Sequence, residues 1–175
     1  MGSIATSRRP RAFQGLALVL PMLLAACGFS DPGLALGARP QIPMVVGHKS
    51  FRLWSACSPA EQRLGLKQVG IATMQDSLAQ PAPGMVFVYP GDRIALFSMK
   101  DMAVDLDLAL IDSRGLLLHV ETLSAASSQT FSWPEPIRYA IEAPAGSLRG
   151  AQLQIGTQVL DDSAVSNLRK LCASQ

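Results

Sequence analysis

Apolar and polar positions change period several times along this chain, and each change marks an element. Phe51, Leu53 and Ser55 alternate with Arg52, Trp54 and Ala56 up to Cys57, the period of a strand. Ser58, Pro59 and Glu61 follow in the order that lets two side chains satisfy orphaned backbone donors, which predicts a helix over residues 59–66. The apolar run Met85, Val86, Phe87, Val88, Tyr89 is stopped by Pro90 and Gly91 and fits a buried strand. Residues 94–99 are expected as its partner across a turn at Gly91 and Asp92. Val104, Leu106, Leu108 and Leu110 then alternate with Asp105, Asp107, Ala109 and Ile111, giving one apolar face and one that begins acidic.

A turn over residues 112–115 leads into residues 116–122, so a hairpin is expected there. The polar stretch 124–136 reads as a long loop, 137–142 as a strand, 145–149 as a single helical turn, and 158–160 as a last short strand. Asp161 or Asp162 caps a C-terminal helix whose apolar positions are Val165, Leu168, Leu171 and Cys172. These elements predict a mainly β (α+β) domain: a small compact β-barrel or sandwich of about six strands with one or two short helices and a C-terminal helix.

The start of the chain follows other rules. Arg8, Arg9 and Arg11 precede an apolar run over residues 13–26, the n- and h-regions of an export signal. That run is interrupted by Pro21 and is shorter than the roughly 20 residues that a membrane-spanning helix needs. Leu24, Ala25 and Ala26 before Cys27 resemble the bacterial lipobox, in which the cysteine thiol receives a lipid before cleavage. The organisation expected is a signal peptide over 1–27 ending at acylated Cys27, a flexible tether over 28–43, a β-rich domain over 44–160 and a helical tail over 161–175. Gly28 and Phe29, in place of Asp, follow the acylated position, which by resemblance to bacterial lipoprotein sorting favours the outer membrane. The expected location is therefore the periplasm, lipid-anchored. Ser7, Arg8 and Arg9 leave a twin-arginine export route open beside the general one, although Pro10 and Arg11 depart from that pattern.

Composition sharpens this in two ways. Across 175 residues, 49% are hydrophobic and 16% charged, enough apolar material for one compact domain. The formal charge of +2 falls to −1 once the three signal arginines are removed, and aromatics are only 6%, so no nucleic-acid partner is expected.

Five blocks then stand in a recognisable order: residues 58–66 (SPAEQRLGL), 83–90 (PGMVFVYP), 97–115 (FSMKDMAVDLDLALIDSRG), 139–146 (YAIEAPAG) and 155–159 (IGTQV). Together they resemble the domain of unknown function 192 family over residues 51–160. The resemblance implies a compact β-rich fold without an agreed activity. The chain departs from the family at Ser98, where an aromatic is usual, at Asp101, where Asn is usual, and at Asp105, where Pro is usual.

Lys100, Asp101, Asp105 and Asp107 bring one cation and three carboxylates into a short span, with Asp105 and Asp107 expected on one strand face, about 6 to 7 Å apart. The readings are a solvated face with a local Lys100 ion pair, a small polar-ligand site, or a metal site; for calcium the ligand number and loop glycine are missing. His119 and Glu121 share a face, but His48 is the only other histidine, so zinc lacks a ligand set and no metal or other cofactor is expected. Trp133 is a candidate for stacking on a sugar or a protein, or else closes one end of the core. No Gly-x-Ser-x-Gly elbow, P-loop or dinucleotide glycine pattern occurs.

With Cys27 assigned to lipid, Cys57 and Cys172 remain in an oxidising compartment, as a disulfide or as two buried thiols. The expectation for function is a membrane-anchored binding or envelope-accessory module with an envelope polysaccharide or protein partner. The alternative is an enzyme acting on envelope carbohydrate or peptide through Asp101, Asp105 and Asp107.

Overall fold

The computed structural model describes residues 2, 41–69 and 81–174. The chain divides into Met1–Ser30 and Asp31–Gln175, and every element below belongs to the second unit. Cys27, the signal segment and most of the expected tether lie outside the described residues.

The strands are β1 (Ile42–Val46), β2 (Lys49–Ala56), β3 (Ala82–Arg93), β4 (Phe97–Ser98), β5 (Leu106–Ile111), β6 (Leu117–Leu123), β7 (Thr130–Phe131) and β8 (Ile137–Pro144); the helices are α1 (Pro59–Leu64) and α2 (Asp162–Ala173). Six strands form one sheet in the order β1-β2-β3-β8-β5-β6, and β4 pairs with β7 in a second, two-stranded sheet. The large sheet is open, with β1 and β6 at its edges, so the expected barrel does not close. All pairings are antiparallel except β2 with β3, which needs a crossover; α1 lies on it.

Both faces of the sheet are buried, which is why β5 has no exposed residue. Leu106, Leu108 and Leu110 join Phe87, Phe97 and Leu66 on one side, and Ala109 and Ile111 join Phe51, Val86 and Ile141 on the other. The second side is covered by α2 through Val165 and Leu168, the first by the chain around α1 and by the small sheet.

Several local expectations give way to long-range pairing. β1 forms a hairpin with β2 and takes in Ile42 and Pro43 from the expected tether. β3 runs through Pro90, Gly91 and Asp92 to Arg93; its register against β8 shifts between Val88 and Arg93, and that bulge accommodates a proline the ladder could not. Residues 94–99 do not pair with β3: Phe97 and Ser98 face Phe131 and Thr130, inside the expected long loop. The expected strand at 158–160 is a single bridge from Leu116 to Gln158. The helical turn near 145–149 is displaced to a 3-10 turn at Arg149–Ala151.

The capping box at Ser58 is present. Ser58 Oγ accepts from the Glu61 N–H at 3.3 Å, while Glu61 Oε2 accepts from the Ser58 N–H at 2.7 Å and the Cys57 N–H at 2.8 Å. Gln62 Nε2 donates to Ala56, Cys57 and Val88 carbonyls, tying α1 to the end of β2 and to the middle of β3. Asp161 caps α2, accepting from the Ala164 N–H at 2.7 Å. A disulfide joins Cys57, beside the cap of α1, to Cys172 in the last turn of α2, with Cα atoms 5.3 Å apart.

Asp107 is not on a solvated face. It is 1% exposed on β5, between β8 and the edge strand β6, and its carboxylate accepts from Thr122 Oγ1 at 2.7 Å and from the Leu148 N–H at 2.9 Å. It therefore ties β5 to β6 and to the chain after β8. Replacing Asp107 with Ala strands a buried N–H and a hydroxyl, and urea unfolding should show a loss of about 2 to 4 kcal/mol. Cys57→Ser with Cys172→Ser releases a closure spanning a sequence separation of 115, with an expected loss of about 4 to 5 kcal/mol in the chain-entropy model. A double variant as stable as the unreduced parent in the same titration contradicts that account.

Candidate functional site

Local sequence builds a cleft on the α1 side of the sheet. α1 ends at Gly65, whose positive φ of 56° turns the chain into the 3-10 segment Gly65–Gln68. That turn buries Leu66 and leaves Lys67 exposed at the cleft. Phe87 and Tyr89 come from β3, Leu106 from β5, and Ile94, Leu96 and Phe97 from the segment after β3. The cavity measures about 420 Å³, within the range of small-ligand sites.

One carboxyl lines it. Glu142 lies on β8 between Met85 of β3 and Leu108 of β5, half-buried in an otherwise apolar row. A Cβ placed on Gly65 would sit 3.8 Å from its Oε2, an ordinary contact, which sets the Gly65 turn directly beside the acid. Glu142 has no hydrogen-bond partner among the described residues. Burial penalises its charged form, and although Lys67 pulls the other way, its pKa is pushed up to about 7. Burial, and next the charge of Glu142, hold the Tyr89 phenol above its usual value, against the pull of Arg93, whose guanidinium lies 5.3 Å from the ring centroid. Arg63 also lines the opening.

A second cavity of about 630 Å³ runs between β1 and α2, lined by Ile42, Met44, Val45, Leu168 and Leu171. Its acid, Asp161, is occupied in capping α2, and those hydrogen bonds hold it below the usual carboxylate range. The apolar lining carries no convergent chemistry.

The residues singled out by sequence are brought to separate places. Lys100 and Asp101 are exposed in the turn after β4, Asp101 with a φ of 65°, and Lys100 makes no ion pair among the described residues. Asp105 precedes β5 and is exposed; its Oδ1 accepts from the Ala125 N–H at 2.7 Å and its carbonyl from the Ala145 N–H at 3.1 Å, which pins two loops together. Asp107 points into the core, so the three aspartates do not form one site. Among the described residues no group of three His, Cys, Asp or Glu side chains is placed to hold a metal ion. Trp133 is half-buried, edge-on to Phe97 with centroids 6.4 Å apart and tilted against His119 at 5.0 Å. It packs, partly buried, against the core on the α1 side of the sheet. His119 and Glu121 pair with each other at 3.3 Å.

Glu142 was not among those residues. Its signal was present in the block Tyr139, Ala140, Ile141, Glu142, Ala143, where one acid interrupts an apolar strand that is buried on both faces.

Solved structures of other proteins share this fold. One, from Novosphingobium aromaticivorans DSM 12444 and described as a protein of unknown function, is 19% identical, with a TM-score of 0.55 over 70% of this chain and 92% of that one. Another, from Sinorhizobium meliloti 1021 and described as a candidate transcription regulator, is 21% identical, with a TM-score of 0.54 over 67% of this chain and 88% of that one. At these identities the likeness is one of fold alone. No curated protein matches the chain. The family model of the domain of unknown function 192, described as "Uncharacterized ACR", matches residues 43–160. That span takes in the whole sheet except its first residue and stops just before α2, and by it the chain belongs to the domain of unknown function 192 family.

Proposed function

We propose that this chain is a lipid-anchored periplasmic binding module, held to the outer membrane through Cys27 and working through the cleft around Glu142. The observation that carries the binding role is the lone acid itself. A half-buried carboxyl set in an apolar row, which burial pushes toward its acid form and to which no described residue donates a hydrogen bond, supports the fold less when ionised than an amide would, and such groups concentrate where a ligand needs them. The anchor is supported by the Leu24-Ala25-Ala26-Cys27 sequence after its apolar run. The Cys57–Cys172 bridge is what an oxidising compartment permits. No helix among the described residues is long and apolar enough to cross a membrane.

The pH dependence follows from the raised pKa. In the unfolded chain Glu142 ionises near the ordinary glutamate value of 4.5, and in the fold near 7. Between those values the folded state holds more protons than the unfolded one, so stability falls as pH rises through the window and levels off above it. The loss is at most about 3 kcal/mol, since each tenfold change in proton affinity is worth about 1.4 kcal/mol.

Two experiments test the two halves of the proposal. In urea unfolding, Glu142→Gln should be more stable than the parent at pH 8, by up to about 3 kcal/mol, and nearly equal to it at pH 4.5; equal stability at pH 8 removes the functional argument from Glu142. Palmitate labelling of the full chain in a bacterial host should mark the parent protein and leave Cys27→Ser unlabelled and uncleaved, running larger than the parent because its apolar 13–26 segment is retained. Label persisting in the Cys27→Ser protein overturns the anchor.

A further inference from the structure

The cleft around Glu142 is itself divided into a charged part and an apolar part. Glu142 lies close enough to feel the charge of Lys67 and to act on Tyr89, with Arg93 over the Tyr89 ring. Beside them Ile94 and Leu96 form a lip and are 47% and 71% exposed, among the most exposed large apolar side chains described. Adjacent apolar side chains left in water at the mouth of a cavity mark a surface that gains by being covered. Arg63, Lys67 and Arg93 outnumber the single acid, so the lining is positive in balance.

We propose that the cleft binds an amphiphile with one oxyanion head and an apolar chain, the head between Lys67 and the Glu142 carboxyl and the chain over Ile94 and Leu96. This rests on the reading of the cleft as a binding site. Lys67 supplies the charge for the head. Glu142 in its acid form supplies a hydrogen-bond donor, and an anion beside it strengthens its hold on the proton. Binding above neutral pH therefore takes up a proton from solvent: one O–H bond forms on Glu142 and nothing is oxidised or transferred. A cationic ligand would do the reverse and expel the proton. Of the charged and titratable groups lining the cleft with Glu142, Lys67 from the 3-10 turn and Tyr89 from β3 interact with it electrostatically, and Arg63 from α1 and Arg93 from β3 complete the lining. Two strands away in the same row, Glu121 of β6 is opposite Leu108 and is paired with His119.

The test is calorimetric titration of the full chain carrying Cys27→Ser with octanoate, octyl phosphate, octanol and octyltrimethylammonium, at pH 6 and 8.5 in buffers of different ionisation enthalpy. Octanoate should bind with uptake of up to one proton and at least tenfold more weakly at pH 8.5 than at pH 6. Glu142→Gln, which keeps a donor and carries no charge, should bind octanoate equally at both pH values, and Lys67→Ala should weaken it about tenfold. Preference for octyl phosphate over octanoate, with the same proton uptake, supports the oxyanion class and assigns the head to phosphate. Octanol binding as tightly as octanoate, or octyltrimethylammonium binding with proton release, overturns the oxyanion head while leaving the cleft a binding site. No heat with any of the four overturns both.

Discussion

The central strands β5 and β8 are covered on both faces, so a polar side chain there has little water to turn to, and that constraint organises the rest of this molecule. Two carboxyls meet it from neighbouring strands. Asp107 on β5 is opposite Ala143, and one position on, Leu108 is opposite Glu142, so the two acids look out of opposite faces of the same pair of strands. Asp107 stays in the core because Thr122 and the Leu148 N–H are waiting for it. That network draws the chain after β8 down onto the sheet, where Leu148 and Ala151 join the core under α2. Glu142 has no such network. One acid is therefore part of the fold's framework, and the other is kept in spite of the fold.

What the sequence made legible was local. Ser58 and Glu61 are three residues apart, and the box they form depends on nothing else; the turn at 112–115 and the apolar spacing of Val165 and Leu168 are equally self-contained. What it hid was set by partners far along the chain. Pro90, Gly91 and Asp92 carry turn chemistry, yet β3 runs through them because β8 offers a bulged register and Arg138 meets Asp92 at 2.8 Å. Phe97 and Ser98 find their partners more than thirty residues later. The acidic face expected on β5 failed for the same reason: alternation shows which residues share a face, but not that a loop returning from β8 covers it. The site was hidden likewise, since Glu142 becomes a cleft residue only when α1 and its following turn pack against β8. Asp101 is a partial exception, because Asn and Asp are the side chains that tolerate the positive φ found there.

The family's span ends at residue 160, and this chain adds to it a helix and a bridge. Without α2, Val86, Ile141 and Ile111 would have one side of the sheet open to water. Arg169 also reaches the Tyr139 hydroxyl at 3.1 Å, so the helix is aligned by a polar contact as well as by burial. Cys57 directly precedes the cap of α1, whose side of the sheet holds the cleft, while Cys172 belongs to the helix on the other side. The disulfide thereby connects the coverings of the two faces across the end of β2, and it restrains the element that forms one wall of the cleft without touching the cleft itself.

The electrostatics of Glu142 explain why Lys67 does not simply neutralise it. Lys67 is exposed, so its charge acts partly through water, where a pair at a few ångströms gains on the order of 1 kcal/mol. Desolvation of the carboxyl acts at the acid itself and is the larger influence, which is why the net direction is upward. A closed, buried pair would instead hold the acid ionised and insensitive to its surroundings. Leaving the lysine in water keeps desolvation the stronger influence on the carboxyl, so a charge placed beside it would shift the balance between its two forms.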